Sequence, residues 1–161
     1  MITLEQIIIA RGDLEKIYRS DISLTLWRAI NKADTSENTN PLYPDLSERM
    51  LPNGRLRLPD VSTYLKNGIP YVKSEESRGT SLSDVHGLFG HKNWDYVVIP
   101  AGTIIPKELV ITKDHYIPKK KSWHYSISPN FDMSLGKFLR ALDQLAINAD
   151  IKIIGVSNAK S

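Results

Sequence analysis

The chain has 161 residues, 41% of them hydrophobic and 24% charged, with 21 Lys and Arg against 18 Asp and Glu for a formal charge of +3. That length suits one domain with at most a small extension, long enough to bury a core of its own. The mild positive balance admits an anionic ligand but does not argue for a nucleic-acid scaffold, and the lack of cysteine removes disulfides, thiolate catalysis and Cys-based zinc sites together.

The opening MITLEQIIIARGDLEK has neither the basic start nor the apolar run of a signal peptide, so any export is expected by another route. No segment approaches the ~18 uninterrupted apolar residues of a membrane span. Residues 3–18 read as a short helix or helix pair, with Thr3 and Gln6 at capping-box spacing and Gly12–Asp13 breaking the pattern. SLTLWRAI (23–30) reads as a strand with Leu24, Leu26 and Arg28 on one face and Thr25, Trp27 and Ala29 on the other. Residues 31–60 hold Pro41, Pro44, Pro52 and Pro59 among many Asn, Asp and Ser. They read as a long irregular loop with at most a turn at 45–50, and a loop of that length is usually functional or disordered.

A short helix at 61–66 and a strand in GIPYVKS come next. RGTSLSDVHGLFG (78–90) reads as a Gly-led turn running into a short polar strand or the start of a helix. WDYVVIP (94–100), ELVITKDHY (108–116) and SWHYSIS (122–128) read as three strands whose spacing and turn signals favour an antiparallel sheet. Asp132 or Ser134 then caps an amphipathic helix with Leu135, Phe138, Leu139, Leu142, Leu145 and Ala146 along one stripe. IKIIGVS is a candidate last strand. The class is α+β.

His86, His91, His115 and His124 are too scattered to form a metal site, and none is expected. No G-x-S-x-G elbow is present to support a Ser hydrolase. The lysine run 119–121 is either a solvated turn or a loop that meets a phosphate or an acidic partner. His124 is either a packed core histidine or one that faces a site, with Trp123 and Tyr125 directed to the opposite face of its strand. Arg28 in an apolar strand is costly to bury alone, so its head either snorkels to the strand end or forks onto a carboxylate or phosphate. Thr80 and Ser81 follow a glycine, where hydroxyls serve either local turn chemistry or a site. An Arg, a hydroxyl pair and a His on three separate strands would suit a nucleotide.

Six segments carry a more specific signal: SLTLWRAINKA, RLRLPD, GTSLSD, DYVVIPAGTIIPKELVITKDHY, WHYSISP and ALDQLAINA. In this order and spacing they resemble a family of type VI secretion effectors, growth-arresting toxins with an ADP-ribosyltransferase-like fold. The resemblance covers residues 23–150 and is most specific around PAGTIIPKEL, KDHY and HYSI. It implies a split, mostly antiparallel β-sheet with flanking helices, arranged as an N-terminal helical extension at 1–22 and a toxin domain at 23–161.

By the same resemblance the cleft accepts NAD as substrate. Arg28 and Arg57 would bind it, Thr80 and Ser81 would brace the cleft as a hydroxyl motif, and His124 would stand at a catalytic position. Many ADP-ribosyltransferases place a catalytic Glu on a late strand. Here Glu75 and Glu76 precede the hydroxyl motif and Glu108 opens a strand, which leaves His124 or Gln144 to hold a ribose hydroxyl. The partners implied are a cognate immunity protein, the type VI secretion machinery and an intracellular macromolecular target, nucleic acid included, with action in the cytoplasm. Two rival readings stay open: a ribonuclease-like toxin using His124 with Lys119–Lys121, and a non-catalytic interaction module in which Arg28 and His124 are structural.

Overall fold

The computed structural model describes residues 1–33 and 39–160, with side chains described to residue 155. Helix α1 (Leu4–Ala10) begins at the capping box expected of it: Gln6 N donates to Thr3 Oγ1 at 3.1 Å and Thr3 N donates to Gln6 Oε1 at 2.9 Å. A 3-10 turn at Leu14–Lys16 leads into the two-residue strand β1 (Ile17–Tyr18). There follow β2 (Leu26–Asn31), β3 (Arg49–Met50), β4 (Leu56–Arg57), β5 (Thr63–Lys66), β6 (Ile69–Val72) and β7 (Thr80–Ser83). The chain ends with β8 (Trp94–Ile99), β9 (Leu109–Ile117), β10 (Ser122–Pro129), β11 (Met133–Ser134) and helix α2 (Leu135–Lys160).

The main sheet has six antiparallel strands in the order β1-β9-β10-β7-β2-β8; smaller sheets are β11-β6-β5 and β3-β4. This is the expected mostly antiparallel α+β architecture. The consecutive strands β8 and β9 nonetheless stand near opposite edges, because β2 and β7 are inserted between β8 and β10. β7 pairs with β10 over four residues and β2 with β8 over six, yet β7 and β2 share the single ladder pair Trp27↔Ser83. The sheet therefore splits between β7 and β2.

Helix α2 contributes Phe138, Leu142 and Leu145, each 0% exposed, to one core with Leu82, Tyr125 and Ile127 of β7 and β10. Its stripe is the one the 3.6-residue period marked out. A smaller cluster of Leu4, Ile8, Ile17 and Val110 seats α1 and β1 against β9. No helix among the described residues is long and apolar enough to cross a membrane.

Three local expectations are corrected. Residues 63–66 are a strand rather than a helix, paired with β6 through Asn67 (φ +52) and Gly68 (φ +76). An Asn-Gly pair supplies the two positive φ angles of a tight hairpin, and it overrides weak helix propensity here. Residues 151–157 continue α2 instead of forming a last strand, because extending a nucleated helix is easier than starting a new element and no turn signal intervenes. The 31–60 loop contains the β3–β4 hairpin, while its residues 34–38 lie outside the described residues. Of the two caps considered for α2, Ser134 accepts from Lys137 N at 3.2 Å, whereas Asp132 accepts from Tyr64 Oη and Ser74 N.

Candidate active site

Cross-strand partners share a sheet face. Tyr125 and Ile127 of β10, with their partners Leu82 and Thr80, face the core. The opposite face carries His124 and Ser126, with partners Ser83 and Ser81 on β7 and His115 and Thr112 on β9. Between those last two pairs β9 has one residue more than β10, and Asp114 is the extra one. Such a bulge re-aims side chains. It sets both Asp114 and His115 on the face of His124, whose ring stacks on that of His115 at 4.9 Å.

Asp114 is enclosed, its side chain 3% exposed. Its Oδ2 lies 2.9 Å from His124 Nδ1 and accepts from Ser126 Oγ at 2.6 Å. Its Oδ1 accepts from Thr112 Oγ1 at 2.6 Å and from Ser77 Oγ at 2.9 Å. Burial pushes the carboxyl's pKa up, but the hydrogen bonds from His124, Ser126, Thr112 and Ser77 outweigh it and hold the group below its ordinary value. The site thus contains a buried, ionised carboxylate. Ser77 reaches it from a backbone with φ +62, a strained angle for a residue with a side chain. The neighbouring Glu76 is gripped by both terminal nitrogens of Arg11, at 2.7 and 2.9 Å, so the segment after α1 ties down this loop.

His124 lines a cavity of about 270 Å³ with Ser77, Arg78, Gly79, Ser81 and Ser126, walled by Leu58, Pro59 and Asp60. A larger cavity of about 730 Å³ is lined by Arg28, Arg49, Arg57, Asp45, Tyr43 and Trp94, among others. The two adjoin. Arg57 faces the larger and the next residue, Leu58, the smaller. Arg28 lines the larger and donates through Nη1 to the carbonyl of Ser81, at 3.1 Å, in the wall of the smaller.

Arg28 also donates through Nε to Pro41 O at 3.2 Å, so its guanidinium spans the split between β2 and β7. Carbonyls at the sheet opening hold the charge that strand periodicity alone left without an obvious partner. Arg57 lies 3.5 Å from Asp60 and 4.0 Å from Asp45, which Arg49 also meets at 2.9 Å. Among the described lining residues, three guanidinium groups face one carboxylate, Asp45, a balance suited to an anion.

Thr80 and Ser81 separate. Ser81 is in the cavity wall, whereas Thr80 is 0% exposed on the core face and donates to Leu42 O at 2.6 Å. Thr80→Val should cost about 1–3 kcal/mol by leaving that carbonyl unsatisfied. Ser81→Ala should stay within about 0.5 kcal/mol of wild type. Thermal melts of the two variants check the difference.

Gln144 is not near His124: it sits on α2, donating to Asn148 Oδ1 at 2.9 Å, while the polar face lies across the sheet. Lys119, Lys120 and Lys121 line neither cavity, and Lys120 Nζ stands 5.9 Å from the Phe89 ring. His86 stacks on Trp27 at 4.1 Å, and His91 packs edge-on with it and with Tyr96. Two polar groups were not anticipated, Asp114 and Arg49. Asp114 had a signal: Thr112 and Asp114 of ITKDHY stand two residues apart and so alternate onto one strand face.

Two comparisons with known proteins identify relatives of this chain. Toxin Tse2 of Pseudomonas aeruginosa is 29% identical over 144 residues, covering 79% of this chain and 88% of that protein. A family model described as the Tse2 ADP-ribosyltransferase toxin matches residues 8–153, which takes in all eleven strands and most of α2. With its split antiparallel sheet and the cavities that adjoin at the split, the chain belongs to the Tse2 ADP-ribosyltransferase toxin family.

Proposed function

We propose that this toxin binds NAD across the two adjoining cavities, breaks the bond between nicotinamide and ribose, and transfers ADP-ribose to an intracellular target. The observation that carries this reading is the juxtaposition itself: an arginine-lined cavity opening beside a smaller one that presents a carboxylate-held histidine. The larger cavity is within the ~300–1,000 Å³ usual for small-molecule sites. A pyrophosphate is a compact dianion that arginine recognises through paired N–H groups. Arg28, Arg49 and Arg57 take that role, and the nicotinamide-bearing ribose then extends over the shared wall toward Ser81 and His124.

Breaking the glycosidic bond develops positive charge at the ribose C1′, as in glycoside cleavage. Groups that fix the ribose hydroxyls lower the barrier mainly by holding that geometry. In this reading Ser81 fixes a ribose hydroxyl and His124 faces C1′; Thr80 braces the loop beneath through Leu42. The same reading brings a cognate immunity protein that covers the cavity mouths, delivery by the type VI secretion machinery, and action in the cytoplasm of the target cell. It treats residues 1–22 as an extension that steadies the toxin domain through Arg11 and Glu76.

Calorimetric titration of NAD tests the proposal. Arg57→Ala should weaken NAD binding roughly 10- to 150-fold, the equivalent of one charge-assisted hydrogen bond. Equal affinity in the two proteins, or no binding by the wild type, would count against it.

A further inference from the structure

Binding NAD makes no use of Asp114, which is walled off behind His124, yet it is the most heavily hydrogen-bonded side chain of the site. An ionised carboxylate only accepts hydrogen bonds. At 2.9 Å from Asp114 Oδ2, Nδ1 of a neutral His124 must therefore carry the ring proton. That leaves the lone pair on Nε2, the ring nitrogen not held by Asp114. The carboxylate has little freedom to turn: Ser126 holds one oxygen, Thr112 and Ser77 hold the other, and the bulge fixes its backbone.

We propose that Asp114 is a positioning residue that locks His124 in the Nδ1–H tautomer, so that Nε2 acts as the general base for a hydroxyl-bearing acceptor of ADP-ribose. The identity of the reaction rests on the NAD reading above; the tautomer does not. In the step, the acceptor oxygen forms a bond to C1′ of the nicotinamide ribose. The C1′–N bond breaks and its electron pair stays on nicotinamide, which leaves neutral. The acceptor's proton passes to His124 Nε2, and the resulting imidazolium is paired with Asp114 until it loses the proton to solvent. Water in place of the acceptor gives hydrolysis by the same path. A base placed in this way contributes about 10²–10⁴-fold to rate.

Two readouts test the proposal. In protein labelled with nitrogen-15 at histidine, the neutral form of His124 should show a protonated Nδ1 and a bare Nε2. Asp114→Asn offers an amide that can donate to Nδ1, so the pattern should invert or become mixed. Ser126→Ala, which leaves the carboxylate in place, should not change it. An Nε2–H ring in the wild type, or the same tautomer in Asp114→Asn, overturns the proposal. The wild-type spectrum is decisive even if Asp114→Asn fails to fold.

In the second readout, nicotinamide release by Asp114→Asn should fall about 10²–10⁴-fold, in kcat and with little change in NAD affinity. Undiminished turnover overturns the proposal. A wild type that neither binds nor cleaves NAD defeats the assigned reaction, and the role of Asp114 is then decided by the spectra alone.

Discussion

Gly79→Ala should lower the thermal midpoint of the protein by on the order of 10 °C. The reason is space rather than backbone angle. A Cβ built on Gly79 would overlap the carbonyl oxygen of Ile127 and lie 2.5 Å from its carbonyl carbon and 3.0 Å from Ser128 N. All three are backbone atoms of β10, which cannot step aside because it is paired on its other edge with β9 over eight residues. Strands β7 and β10 must separate instead. Overpacking costs typically 1–3 kcal/mol and occasionally more, and for a domain of this size each kcal/mol is worth about 2–4 °C. The disturbance also reaches the site, since Gly79 lies in the wall of the smaller cavity between Arg78 and Ser81. Arg78 itself is anchored to Pro59 O at 2.6 Å and Asp60 O at 3.3 Å. A melt within about 2 °C of wild type would show that β7 moves away from β10 at Gly79 at little cost.

His124→Ala should leave the fold largely intact and reduce nicotinamide release about 10²–10⁴-fold. The fold survives because His124 is at the cavity edge, its side chain 25% exposed, so water can replace it against Asp114. Three hydroxyl donors remain on the carboxylate after the ring is gone. In the NAD reading, activity fails because the group facing the reacting sugar is removed while the arginines of the larger cavity still hold the phosphates. The expected signature is a collapse in kcat with NAD affinity changed little. A variant that loses stability and activity in parallel would instead mark His124 as structural, the role it has in the interaction-module reading. A growth assay under tight expression control should follow the turnover, with the variant tolerated where the wild type arrests the host.

Long periodic segments announced themselves. The α2 stripe and strands β8, β9 and β10 were legible because each repeats its pattern over several turns or pairs. So was the alternation around His124. Tyr125 does turn to the core, 2% exposed and stacked on Tyr18 at 5.9 Å, while Lys113 lies over the Trp123 ring at 4.2 Å. Where no bulge intervenes, alternation sends adjacent strand residues to opposite faces, so only one of Thr80 and Ser81 can line the cavity.

The β5–β6 hairpin was legible in principle from Asn67–Gly68. The bulge at Asp114 was not. It arises from a mismatch in residue count between two paired strands, a property of the pairing and not of either segment alone. The late-strand carboxylate beside His124 is thus an Asp at a bulge rather than a Glu in regular alternation. The bonds of Arg28 were hidden for the same kind of reason, since Pro41 and Ser81 come close to it only where the sheet opens.

A structure of the protein with an NAD analogue whose nicotinamide–ribose bond resists cleavage tests the central claim most directly. The pyrophosphate should lie against Arg28, Arg49 and Arg57 in the larger cavity, with the nicotinamide ribose crossing the 57–60 wall so that C1′ faces His124 Nε2 with room for an acceptor oxygen between them. An analogue bound elsewhere, or one whose ribose points away from His124, would contradict it.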